Sequence, residues 1–115
     1  MRWTLRITSA LHLAGVLGQA LLAGLFVTGD VDMLSLHEGN AGVTHSLLYV
    51  QLVVAFFFWR RRRTAWPLWA TGALIVAETL QVWAGQERVL GLHFPLGMSI
   101  FGASAVMTLL LWRVR

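Results

Sequence analysis

An all-α integral membrane four-helix bundle is the fold this sequence predicts. Three observations point to it: a scarcity of charge, long uninterrupted apolar runs, and arginines gathered where those runs end. Hydrophobic residues make up 57% of the 115 residues and charged residues 12%, against about 25% charged in a typical soluble domain. Mean hydropathy is +0.69, so lipid is the solvent expected for most of the chain. The length suits a single domain over 1–115, because four segments of about 20 apolar residues would use nearly all of it. The absence of cysteine excludes disulfides, thiolate metal sites and thiol nucleophiles. Histidine, carboxylate and amide chemistry remain.

The segments are read between the charges, at about 7–28, 37–59, 67–85 and 90–112. Each can cross a hydrocarbon core of about 30 Å at about 1.5 Å per residue. The runs are too long and too little alternating for barrel strands. The first could pass for a cleaved leader, but cleavage would remove His12 and Gln19 and leave three helices, so it is read as a helix.

Nine arginines and no lysine account for the net charge of +4. Arg2, Arg6, the run Arg60 to Arg63, Arg113 and Arg115 flank one side; Asp30, Asp32, Glu38, Glu87 and Arg88 flank the other. The excess of arginine predicts that both termini face the cytoplasm, in a multi-pass protein of the cell membrane. Trp3, Trp59, Trp66, Trp69 and Trp112 fall on the arginine side, at the headgroup level that indole rings prefer. Basic residues confined to helix ends orient helices, so nucleic acid is not an expected partner and the bilayer is.

Depths follow from counting back from the arginines at about 1.5 Å per residue. His37 and His93 come out level, about 33 and 30 Å along their helices. His45 falls at about 21 Å, with Gln19, Gln81 and Glu78 near it, and His12 at only about 9 Å, level with Gln51. The expectation is a polar layer of His45, Gln19, Gln81 and Glu78 at mid-membrane, with His12 outside it. Helical spacing puts His37, Ala41, His45 and Leu48 on one face, and His93, Gly97, Ile100 and Ser104 on another. Ala41 and Gly97, one turn after each key histidine, would leave room for a flat macrocycle. Small residues also simply let membrane helices approach closely.

A weak repeat joins the halves. Gln19, LLAG and LHEGNAG in the first match Gln81, VWAG and LHFPLGM in the second. The bundle is therefore expected to consist of two pseudo-symmetric hairpins, with His37 and His93 on opposite sides of a central space. Such a pair supplies two neutral nitrogen donors, and a porphyrin supplies the other four that octahedral iron needs. A bare zinc or copper ion would want three or four protein ligands, and Glu38 points about 100° away from His37 around its helix. With no CxxCH sequence the group expected is non-covalently bound haem b, its iron held by His37 and His93. Ala41, Gly97, Gln19 and Gln81 would line the site. His45 is a candidate contact, second ligand or hydrogen-bond partner.

With QVWAG in the third segment and LHFPLGMSIFG opening the fourth, the chain resembles one four-helix half of the haem A synthase family. His37 and His93 match that family's histidine pair on the second and fourth helices of a half. The family usually carries a glutamate three residues before the first histidine and an arginine directly after it; here those positions are Leu34 and Glu38. The resemblance thus implies a haem-binding fold rather than the synthase reaction. By analogy with the eight-helix family, two copies of this chain could form a homodimer.

Glu78 is a candidate proton acceptor, since an ionisable group at mid-bilayer costs about 2.5 to 3.5 kcal/mol on insertion scales and commonly marks function. It also supports a reading from another class, a small proton-coupled transporter, and a non-catalytic accessory subunit of a respiratory complex is a third. The histidine pair favours a haem protein that transfers single electrons, with a quinol or a respiratory partner, or that handles haem.

Overall fold

The computed structural model describes residues 1–113 and contains four helices: α1 (Arg2–Val27), α2 (Met33–Arg62), α3 (Trp66–Gln86) and α4 (Leu90–Arg113). Arg115, one of the arginines assigned to the cytoplasmic side, lies outside the described residues. The helices run past the apolar segments. The first begins at Arg2 rather than near Ile7, and the second at Met33, so His37 lies a full turn inside α2.

Each connection has a local cause. Between α1 and α2, Gly29 takes φ 113°, a conformation that L side chains rarely adopt, and the Asp30 N–H returns to the Leu25 carbonyl at 3.1 Å. α2 ends on Arg63 at φ 58°, whose N–H bonds the Trp59 carbonyl at 2.8 Å. Pro67 stands in the first turn of α3, where its missing donor costs nothing and its fixed φ suits the helix. Arg88 at φ 57° turns the chain into α4, with the Val89 N–H on the Ala84 carbonyl at 2.8 Å.

The helices pack in a ring: α1 on α2, α2 on α3, α3 on α4 and α4 on α1. Among the described residues the diagonal pairs, α1 with α3 and α2 with α4, make no backbone contact. Side chains alone therefore span the centre. The molecule measures 48 × 20 × 19 Å, longer than a hydrocarbon core of about 30 Å. α1, α2 and α4 are each long and apolar enough to cross a membrane, which marks the chain as a membrane protein. α3 carries Glu78 and Gln81 in its 21 residues and falls outside that group.

Its surface and interior invert the pattern of a soluble bundle. Met98, Trp69 and Val76 are exposed at 70% or more, while Ser9, His12, Thr44, Gln51, Thr71, Glu78 and Ser104 are buried. Lipid removes the penalty on the first set, and interhelical hydrogen bonds hold all of the second but Thr44. The apolar core of Leu5, Leu48, Ala55, Phe58, Leu74, Met107 and Leu111 fills chiefly the end of the bundle that carries the termini.

Candidate functional site

The other end, toward the α1–α2 and α3–α4 turns, holds a cavity of about 740 Å³. Small residues make it. Where the packed end uses leucine, phenylalanine and methionine, this end places Ala20, Ala23 and Gly24 on α1, Ala41 on α2 and Gly97 on α4 along the lining. Leu17, Phe94 and Met98 line it while also being exposed on the outer surface. The cavity therefore opens sideways between α1 and α4, toward the space that lipid would fill.

His37 and His93 meet across this cavity, their ring centres 6.3 Å apart and their planes at 65°. Each is oriented by the same device. His37 Nδ1–H donates to the Gln19 carbonyl at 3.1 Å, and His93 Nδ1–H donates to the Gln81 carbonyl at 2.9 Å. A carbonyl can only accept, so the proton of each neutral imidazole is drawn to Nδ1 and the lone pair is left on Nε2. Among the described residues neither Nε2 has a hydrogen-bond partner. Gly85 lets the His93 ring lie against α3, because a Cβ there would stand 2.9 Å from His93 Cε1.

Around the pair, the glutamines work more through their backbone than through their amides. The Gln19 side chain is tied to α2, where Asn40 Nδ2 donates to Gln19 Oε1 at 2.8 Å and to the Gly15 carbonyl at 2.9 Å. The Gln81 amide packs on α4, its Nε2 2.8 Å from the place a Cβ would occupy on Gly97. Gly97 and Ala41 both line the cavity, and the Gln81 amide takes up part of the space beside Gly97. Two buried polar atoms at this level, Thr44 Oγ1 and Gln81 Oε1, have no protein partner.

Next to the cavity lies a second polar assembly with a different membership from the expected layer. Glu78, on the cavity lining, receives His12 Nε2 on Oε1 at 2.6 Å and His45 Nδ1 on Oε2 at 3.1 Å. With Glu78 ionised both imidazoles donate to it, and their remaining nitrogens accept. His12 Nδ1 then takes the Ser104 hydroxyl at 3.3 Å, and His45 Nε2 takes the Tyr49 hydroxyl at 3.2 Å. The line Ser104–His12–Glu78–His45–Tyr49 draws on all four helices, and every link is satisfied.

His12 thus belongs with Glu78, while Gln19 and Gln81 belong with the histidine pair. The reason lies in the ends. Arg6 does not mark the start of α1: its guanidinium lies 5.1 Å from the Trp3 ring and 5.4 Å from the Trp112 ring and bonds the Leu111 carbonyl at 3.0 Å. The helix begins four residues earlier, at Arg2, which sets His12 about 15 Å in rather than about 9 Å. Gln51 pairs instead with Thr71 Oγ1 at 3.0 Å.

Asn40, Tyr49, Ser9, Thr71 and Thr108 escaped sequence reasoning. Asn40 sits in LHEGNAG one turn after Leu36, and its polarity in an apolar segment was the available signal. The small hydroxyls give none, since serine and threonine occur on lipid-facing and packed surfaces alike. Ser9 and Thr108 nonetheless clasp α1 to α4 at 2.6 Å. Among the described residues no three His, Asp or Glu side chains are grouped to hold a metal ion on their own. No family model, curated protein or solved structure matches this chain.

Proposed function

We propose that this is a membrane haem b-binding protein in which His37 and His93 would hold the iron, serving one-electron transfer with a quinol or respiratory partner, or haem handling. The observation that carries the reading is the imidazole pair itself. Two imidazole nitrogens each about 2 Å from one iron put their ring centres about 6 Å apart, and the observed separation is 6.3 Å. Both rings donate Nδ1–H to a backbone carbonyl, the outer hydrogen bond that a metal-ligating histidine ordinarily makes.

The surroundings fit the same group. A cavity of about 740 Å³ lies within the range of about 300–1000 Å³ usual for cofactor sites, and its lateral mouth suits a hydrophobic macrocycle. Two histidines without a third ligand nearby require a group that brings its own donors. When bound, haem would supply a one-electron couple; the chain's part is to orient the imidazoles and to keep water from the iron. The matching bonds to Gln19 and Gln81 support the two-hairpin pseudo-symmetry, and the arginine distribution supports cytoplasmic termini with the histidine pair near the outer face. The transporter reading draws less support, because both oxygens of Glu78 are already hydrogen bonded to imidazoles.

The test is the visible spectrum of the detergent-purified protein from haem-replete cells. A sharp Soret band with split reduced α and β bands is expected, and His37→Ala and His93→Ala should each abolish the six-coordinate form while His12→Ala keeps it. A colourless wild-type preparation would overturn the reading.

A further inference from the structure

At the end of the bundle that carries the termini, we propose a site for the phosphate of an anionic phospholipid, formed by Arg2 and Arg6 of α1 with Arg61 and Arg62 of α2. The site is independent of the haem reading. It lies at the opposite end from the histidine pair and shares no residue with the cavity there.

Simple spacing brings the four arginines together. Arg2 and Arg6 stand four residues apart in the first turns of α1, and Phe58, Arg61 and Arg62 share the last turns of α2, so each helix presents its members on one face. α1 packs on α2, and the two faces enclose a hollow of about 570 Å³ lined by these arginines with Trp3 and Phe58. Phe58, only 3% exposed, gives it an apolar base. Arg6 is held in place without a ligand: its guanidinium lies 5.1 Å from the Trp3 ring, and its Nε–H donates to the Leu111 carbonyl at 3.0 Å.

Charge at this end has one sign. Of the five carboxylates, Asp30, Asp32, Glu38 and Glu87 belong to the opposite end, and Glu78 meets α1 at His12, about 15 Å along the helix from Arg2. That exceeds the screening length of about 8 Å at physiological salt. Among the described residues the side chains of Arg2, Arg61 and Arg62 form no ion pair and no hydrogen bond. Like charges held on facing helices repel, and an anion between them removes the repulsion. Arginine suits that anion beyond what topology requires. Lysine orients membrane helices as arginine does, yet all nine basic residues are arginine, whose planar fork takes two phosphate oxygens at once.

Two observations favour a lipid over free phosphate. The hollow of about 570 Å³ is many times the space of about 30 Å³ that one water takes, and so has room for a headgroup with its glycerol. Trp3, Trp69 and Trp112 are exposed at the same end of α1, α3 and α4, which marks the headgroup depth that indole rings prefer. Basic pockets between membrane helices recognise phosphate headgroups in this setting.

The test is native mass spectrometry of the full chain in neutral detergent with phosphatidylglycerol or phosphatidylcholine added. One phosphatidylglycerol should be retained in preference to phosphatidylcholine. Arg61→Gln and Arg62→Gln should each weaken its binding about fivefold. Arg60→Gln removes the same charge from the same run but from outside the hollow, and should leave binding unchanged. If Arg61→Gln does not accumulate, Arg61→Lys keeps the net charge and should still weaken retention, because the fork is lost. Equal retention of the two lipids, equal losses at Arg60 and Arg61, or inorganic phosphate bound as tightly as the lipid would each overturn the proposal.

Discussion

The two ends of the bundle use one scaffold in opposite ways. At the end carrying the termini, Leu5, Leu48, Phe58, Leu74, Met107 and Leu111 pack the centre, and pairs such as Ser9 with Thr108 and Gln51 with Thr71 lock helix to helix. At the other end alanines and glycines line the inward faces, and a cavity of about 740 Å³ remains. The same four helices thus close at one end and gape at the other through side-chain volume alone. Buried hydrogen bonding does not follow the division so neatly: Thr44 Oγ1 and Gln81 Oε1 lack partners near the cavity and Gln51 Oε1 lacks one at the packed end, whereas the Glu78 line has every link made.

The sharpest way to break this contrast is at its border. His12→Ala takes a hydrogen bond from buried Glu78 and leaves a cavity where a fully buried ring stood, so the loss should be about 3 kcal/mol, read by thermal unfolding in detergent. The same substitution should spare the histidine pair's spectrum, since His12 is not at the pair. A smaller effect is expected on the cavity side. Gly85→Ala places a Cβ 2.9 Å from His93 Cε1, and overpacking of this kind costs about 1 to 3 kcal/mol. Its main consequence should be displacement of the ring and loss of its bond to the Gln81 carbonyl, which under the proposed haem function would be read as weakened haem retention. Smallest of all, and opposite in sign, is Thr44→Val. Removing a buried hydroxyl that has no partner while keeping its shape should stabilise the empty protein by about 1 kcal/mol. If Thr44→Val destabilised the chain by a similar amount, the hydroxyl would have to be making a bond, and the contrast between the two ends would weaken.

Much of the fold was legible because membrane helices announce themselves by what they lack. Three of the four helices qualify as spans by length and composition, and charges gather near the ends. Within the site, His37 and His93 were legible as a pair because two helices, each counted from a common end, place equal path lengths at equal depth. His12 was misplaced because the count started at Arg6, which sits against Trp3 and Trp112 rather than at a helix end. Asn40 and Tyr49 were missed because one polar residue in an apolar run does not say what it meets.

What the sequence by itself determined is therefore one-dimensional: an all-α membrane chain, four apolar segments, their polar residues and two histidines at matching positions. Transfer of a side chain from water to lipid depends on that side chain alone, so it can be read residue by residue. Only the tertiary structure decided which groups touch. A shift of one residue moves a side chain about 1.5 Å along its helix and about 100° around it, while a hydrogen bond tolerates a few tenths of an ångström. That is why Glu78 found His12 and His45, and why His37 and His93 took the carbonyls of Gln19 and Gln81 and not their amides.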